Sequence, residues 1–256
     1  MKTTTDPCKR HWALWIDIEG FSEFYDEDRA PSLLSDLALD LYKIGCGYGN
    51  GYVGDEFRER KAIFVHQFGD GFILGSFYEP ALDRPMAIAI AALRSTALRG
   101  GFARAAISFG ELAGVAGCHH KEIREQVDKE GETFTLGFGP GKMSISPVMG
   151  EGLIRANKLS SDRRMPRGPQ LLVDARIESM LNGIQGKWDE LFRDKNGIAI
   201  DWIRAEIPLA DQILDGIKER KPSPNVLVGA LQLYMAHNEL CDSWKEGAEL
   251  LIRGAQ

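Results

Sequence analysis

Residues 12–22 read WALWIDIEGFS and residues 66–72 read HQFGDGF. In the first stretch, residues 12–18 form an apolar run of strand length, broken only by Asp17, and Gly20 then permits a sharp turn. In the second, apolar stretches at 62–65 and 72–77 flank an Asp70–Gly71 pair, the signal of a hairpin. Each stretch delivers one carboxylate, Asp17 or Asp70, to the end of a buried strand beside glycine. A carboxylate leaving an apolar strand is unfavourable unless a charge or a hydrogen-bond donor meets it. Hard Mg²⁺ or Mn²⁺ is commonly held by one or two carboxylates, with phosphate and water completing the octahedron. Taken singly, each residue has a plainer role, Asp70 as a turn residue and Asp17 as a loop cap.

Outward from these stretches the chain alternates. Residues 31–44 carry apolar side chains at helical spacing, and the glycine-rich 45–54, GCGYGNGYVG, is expected to be a loop. Residues 86–98 are alanine-rich and helical in pattern, 102–109 read as a strand, and 119–147 look like an insertion or long loop. Helical spacing returns over 147–160, and 171–173 and 199–203 read as late strands. Beyond Pro222 and Pro224, apolar residues from Leu227 to Ile252 predict one amphipathic terminal helix. Hairpin-like pairs among alternating strands and helices predict an α+β fold, a mixed, largely antiparallel sheet flanked by helices.

A chain of 256 residues suffices for one large or two small domains, and 44% apolar with 27% charged residues is ordinary for a globular protein. The net charge of −6 argues against long-range attraction to nucleic acid or an anionic membrane, so a phosphate-bearing substrate needs local cations. Four unpaired-looking cysteines and the lack of a signal-like or membrane-length apolar run lead to the expectation of a cytoplasmic protein. Residues 137–143, GFGPGKM, mimic a phosphate loop but lack its first Gly and its Ser or Thr. Cys118–His119–His120 lacks a second ligand pair for zinc, and Arg163, Arg164 and Arg167 are expected to form a solvated basic loop.

Four segments taken in order, WIDIEGFS, HQFGDGF, RAAISFG (residues 104–110) and GEGLIRANKL (residues 150–159), resemble the class III adenylate and guanylate cyclase family. The resemblance implies a catalytic domain over residues 11–205 with a C-terminal helical extension, 206–256, packed on it. It implies that Asp17 and Asp70, with the Ile18 carbonyl, hold two divalent metal ions, Mn²⁺ or Mg²⁺. Gly20, Phe21 and Ser22 would meet the β- and γ-phosphates through their backbone N–H groups, and Arg104 would contact the triphosphate. The family's helix carries an Asn and an Arg four residues apart; here those positions hold Ile154 and Lys158, with Arg155 one turn earlier as a substitute. His66 and Pro147 stand where purine cyclases carry base-reading residues, and proline offers no hydrogen bond from its side chain. In these respects the chain looks more like the bacterial pyrimidine cyclases of the Pycsar antiphage system. The implied enzyme is a homodimer with active sites at the subunit interface, converting UTP, in preference to CTP, to a cyclic monophosphate read by a separate effector protein. Tyr48, Tyr52 and His66 are candidates for contacting the base. A purine cyclase, or an inactive nucleotide-binding module, are the alternatives.

Overall fold

Within the computed structural model, the described residues are 10–20, 29–50, 63–76, 81–111, 113–114, 121, 125, 135–138, 141–144 and 148–254. The first strand, β1 (Arg10–Ile18), alternates as a half-buried strand should. Trp12, Leu14, Ile16 and Ile18 enter the main core, while Trp15 and Asp17 point to the opposite face. Helix α1 (Arg29–Asn50) follows, then the hairpin β2 (Ile63–Phe68) and β3 (Gly71–Ser76), helix α2 (Asp83–Leu98) and strand β4 (Ala103–Glu111). These elements give the sheet order β4-β1-β3-β2, all antiparallel, the ferredoxin-like β-α-β-β-α-β arrangement.

The sheet then grows from the other edge. Short strands β5 (Ala113–Gly114), β6 (Thr135–Phe138), β7 (Gly141–Ser144) and β8 (Val148–Met149) precede helix α3 (Glu151–Ser160). Strand β9 (Leu171–Asp174) then pairs with β4 in parallel, and α4 (Glu178–Leu181), β10 (Glu190–Arg193) and β11 (Gly197–Ile200) follow. The result is a seven-stranded sheet, β10-β11-β9-β4-β1-β3-β2, in which β4–β9 is the one parallel pair. The expected mixed, largely antiparallel sheet flanked by helices is what the chain forms. Among the described residues, no helix is long and apolar enough to cross a membrane.

Helix α2 is buried along nearly its whole length, Arg84 through Ala97. A helix that is apolar all round needs cover on every side. The sheet and α1 supply part of it, and helices α5 (Pro208–Gly216) and α6 (Pro224–His237) supply the rest. Arg94, inside this core, donates to the carbonyls of Trp202, Ile203 and Ala205 at 2.9, 3.3 and 2.6 Å, so the turn ahead of α5 is satisfied by a side chain.

Four local expectations are corrected. Residues 45–50 are helical rather than loop; the anchoring of Leu37, Leu41 and Ile44 in the core carries α1 through glycines that cost about 1 kcal/mol each. The hairpin turns at Gly69–Asp70 rather than Asp70–Gly71, because Gly69 takes the positive φ (64°) of a type II′ first position. Within 119–147, β6 and β7 form a hairpin across the GFGPGKM stretch. The single terminal helix is two, α6 and α7 (Asp242–Arg253), since Asn238 leaves the helix with extended dihedrals and caps Tyr234 through its side-chain amide at 2.6 Å.

Helix α3 lies against β4 and β1 through a glycine pair. A Cβ on Gly110 would stand 2.6 Å from the Gly152 nitrogen, and one on Gly152 would stand 3.2 Å from the Ala13 Cβ. Gly110→Ala therefore forces α3 off the sheet. The expected loss is about 1–3 kcal/mol, read as a lowered midpoint in chemical denaturation with secondary structure retained.

Candidate functional site

The strand register places the candidate residues in rows on one sheet face, the face opposite α1 and α2. Asp17 stands opposite Gly71 on β3 and opposite Arg104 on β4, and Gly71 in turn pairs with Phe68 on β2. One row further from the strand end, His66, Ile73, Trp15 and Ala106 stand in line. Asp70 sits at the hairpin tip next to this face. Its carbonyl accepts from the Ile18 N–H at 3.4 Å, which brings the tip to the end of β1. The Ile18 carbonyl lies on the same strand edge as that N–H, toward the hairpin.

Electrostatics concentrate on Asp17. Its carboxyl is pushed up to about 7, first by burial and then by the charges of Asp70 and Glu19, with Arg104 acting in the opposite direction. Gly71 leaves it room, since a Cβ there would lie 3.0 Å from Asp17 Oδ1. Three carboxylates crowd one strand end, a repulsion that a divalent cation would relieve. The donor set fits such an ion: two aspartates and a backbone carbonyl, all hard oxygens. No group of three or more His, Cys, Asp or Glu forms a ready cage among the described residues. Phosphate or water oxygens would have to complete the coordination.

Arg104 is placed beside Asp17, but part of it is already committed. Its Nη1 donates to the carbonyls of Pro166 and Gly168 at 2.8 and 3.1 Å, while Nε and Nη2 have no hydrogen-bond partner among the described residues. The residue is 3% exposed, and burial draws its guanidinium down to about 10. Arg167, held between those two carbonyls, adds repulsion, so this member of the basic loop belongs to the site's surroundings. Arg164, by contrast, is spent on Asp162 at 2.8 Å.

The structure brings Asp17, Ile18, Gly20, Asp70 and Arg104 together, with His66 one row away. It does not bring Arg155 or Lys158 to them within one chain. Helix α3 buries Leu153, Ala156 and Leu159 and turns Ile154 and Lys158 outward, and Arg155 is tied to Glu151 and to the Phe109 carbonyl. Tyr48 lies on the last turns of α1, which returns along the other face from the Asp17 end of the sheet. Phe21, Ser22, Tyr52 and Pro147 lie outside the described residues. Sequence inspection missed Phe68, Trp15, Ile73, Glu19 and Trp244. The first three follow from counting alternate residues back from Asp17 and its partners; the pairing of Trp244 Nε1 with Glu19 Oε2, at 2.9 Å, had no local signal.

Because the folded protein holds the Asp17 proton up to about 7 against an ordinary 3.8, the native state binds more protons than the unfolded one between those values. Metal-free protein should therefore lose stability as pH rises from about 4 to about 7. The same melts on Asp17→Asn should lack this decline, and Mn²⁺ should abolish it in the unaltered chain.

No family model matches the chain, and no curated protein matches it. Similar solved structures include a bacterial light-regulated adenylyl cyclase, at 15% identity and a TM-score of 0.46 over 90% of this chain and 58% of that one. A monomeric guanylyl cyclase domain of the RhoGC fusion protein from the aquatic fungus Blastocladiella emersonii is 9% identical, with a TM-score of 0.45 over 75% of this chain and 94% of that one. The catalytic core of a rhodopsin-guanylyl cyclase with converted specificity, in complex with ATPαS, gives 9% identity and a TM-score of 0.41 over 75% and 93%. The chain thus spans a little over half the length of the light-regulated enzyme. These likenesses concern the backbone alone.

Proposed function

We propose that the protein is a metal-dependent nucleotide cyclase acting on a pyrimidine nucleoside triphosphate, UTP in preference to CTP. The observation that carries this is the meeting of Asp17 and Asp70 at one strand end, with Asp17 pushed up to about 7 by burial and by its acidic neighbours. Asp17 and Asp70, with the Ile18 carbonyl, would hold two divalent ions. When bound, these lower the pKa of the ribose 3′-hydroxyl and neutralise charge on the phosphates. The hydroxyl gives its proton to water, its oxygen bonds the α-phosphorus as the bond from that phosphorus to the β-phosphate oxygen breaks, and the products are a 3′,5′-cyclic monophosphate, pyrophosphate and a proton.

The chain's own residues orient this reaction. The Gly20 N–H meets the β- and γ-phosphates, and the unpartnered Nε and Nη2 of Arg104 are the donors suited to the same anion. His66 shares the sheet face with Asp17 and offers its ring to the O4 acceptor of uracil; Phe68, 65% exposed on that face, offers a stacking surface. Ile154 and Lys158 face outward from α3, as residues serving a partner subunit's site would. A homodimer, in which Arg155 and Lys158 of one subunit stabilise charge at the other's phosphates, accounts for their distance from Asp17 within one chain. A cytoplasmic enzyme whose product signals phage infection to a separate effector protein completes the proposal; that role rests on the motif resemblance.

Two observations favour a second reading, an inactive nucleotide-binding module. Arg104 is nearly enclosed and already bound to two carbonyls, and no Arg occupies the Lys158 position. Incubating purified protein with Mn²⁺ and each of ATP, GTP, CTP and UTP separates these cases. The expected dominant product is cyclic UMP, falling to background in Asp70→Ala. Cyclic AMP or cyclic GMP would keep the cyclase and discard the pyrimidine preference, and nucleotide binding without product would leave the inactive module.

A further inference from the structure

Glu19 is held from two directions. Its backbone N–H donates to the Phe102 carbonyl at 2.9 Å, and its Oε2 accepts from Trp244 Nε1 at 2.9 Å. The two anchors are themselves joined. The Phe102 ring meets Tyr234 edge-on with centroids 5.0 Å apart, and Tyr234 lies 5.6 Å from the Trp244 ring. The circuit Glu19, Phe102, Tyr234, Trp244 closes on itself and ties α6 and α7 to the end of β1.

Trp244 is well fixed for such a task. It is 6% exposed, and Gly168 lies so close beneath it that a Cβ there would stand 3.2 Å from its ring. One turn on, Gly247 meets the Arg167 backbone at a distance that leaves no space for a side chain, since a Cβ would fall 1.9 Å from the Arg167 carbonyl oxygen. Gln170 Nε2 donates to the Gly247 carbonyl at 2.8 Å. The Pro166–Gly168 segment that α7 grips is the one that Arg104 Nη1 holds to the site face. The C-terminal helix pair, the end of β1 and the Arg104 loop form one connected assembly.

Glu19 is the third negative charge at Asp17, on a flexible side chain two residues along. Its charge also acts on Arg104, and a carboxylate turned out toward water would have its field at Asp17 screened. We propose that Trp244 is a positioning residue for the cation site: its indole N–H fixes the Glu19 carboxylate where that charge strengthens cation binding at Asp17 and Asp70 without ligating the ion. The proposal rests on the assignment of those two aspartates as metal ligands. It makes the C-terminal helices part of the site's machinery, reaching it across 225 residues of sequence. An outer partner that orients a carboxylate near a metal is a known lever on affinity.

The test uses the full chain and reads Mn²⁺ affinity from the electron paramagnetic resonance signal of free Mn²⁺, with no turnover involved. Trp244→Phe keeps most of the ring and removes the donor; Mn²⁺ should bind about tenfold more weakly. Glu19→Ala should weaken binding similarly, and the double variant should be no weaker than Glu19→Ala alone. Without metal, the Glu19 amide should exchange faster in Trp244→Phe, as followed by NMR. Should Trp244→Phe fail to fold, Glu19→Gln carries the test, since it keeps the acceptor for Trp244 and drops the charge: weaker Mn²⁺ binding supports the proposal and unchanged binding overturns it. A wild-type chain that binds Mn²⁺ beside a folded Trp244→Phe that binds equally well, or losses that add in the double variant, overturns this proposal alone. A wild-type chain that binds no Mn²⁺ overturns the metal assignment and this proposal together.

Discussion

Asp17 is a carboxylate built into the end of a central strand, and its neighbours deny it an easy way to carry charge. β1 is flanked on both sides by paired strands, so the side chain cannot move without moving the sheet. Burial disfavours its ionised form, Asp70 and Glu19 repel that form further, and Arg104 offsets only part of this. Gly71 is bare because the carboxylate occupies the space where a Cβ would lie. Such an arrangement is poor for stability alone, and it is the arrangement a hard cation with phosphate oxygens would satisfy.

The rest of the molecule maintains that strand end. Alternation along β1 sends its large apolar residues into the α1/α2 layer and leaves Trp15 and Asp17 on the other face. Helix α2 sets Ala87, Ala89, Ala91, Ala92 and Ala97 among larger buried side chains, and it is packed by the sheet and by the C-terminal helices. Those helices then extend past it to the Glu19 side chain. A packing requirement in the core thereby places α7 at the candidate site, and the same segment that buries Trp244 also supports Arg104.

The sheet class, β1, the hairpin, α2 and the placement of Asp17 and Asp70 at strand ends were legible because apolar runs of fixed period and glycine punctuation are local signals. Gly69–Asp70–Gly71 offers two possible two-residue turns, and only the positive φ of Gly69 selects between them. The helical continuation through Gly45–Asn50 was hidden because propensity there is poor and tertiary anchoring decides. Strand β10, Glu190–Arg193, is four residues long, partly exposed and at the sheet edge, so it has no apolar run to announce it. Helical periodicity ran on across 238–241 and masked the break between α6 and α7. Arg104 was legible as a cation at the site, but its bonds to Pro166 and Gly168 depend on a loop that follows α3. The Glu19–Trp244 contact joins residues from opposite ends of the chain, where no periodicity reaches.

Crystals grown with Mn²⁺ and a non-cyclisable UTP analogue, measured at the manganese absorption edge, test the central claim most directly. The account predicts anomalous density between Asp17 and Asp70, with carboxylate oxygens at about 2.0–2.2 Å and the triphosphate on the same metal. Nucleotide bound elsewhere, or a strand end without anomalous density beside ordered nucleotide, would contradict it.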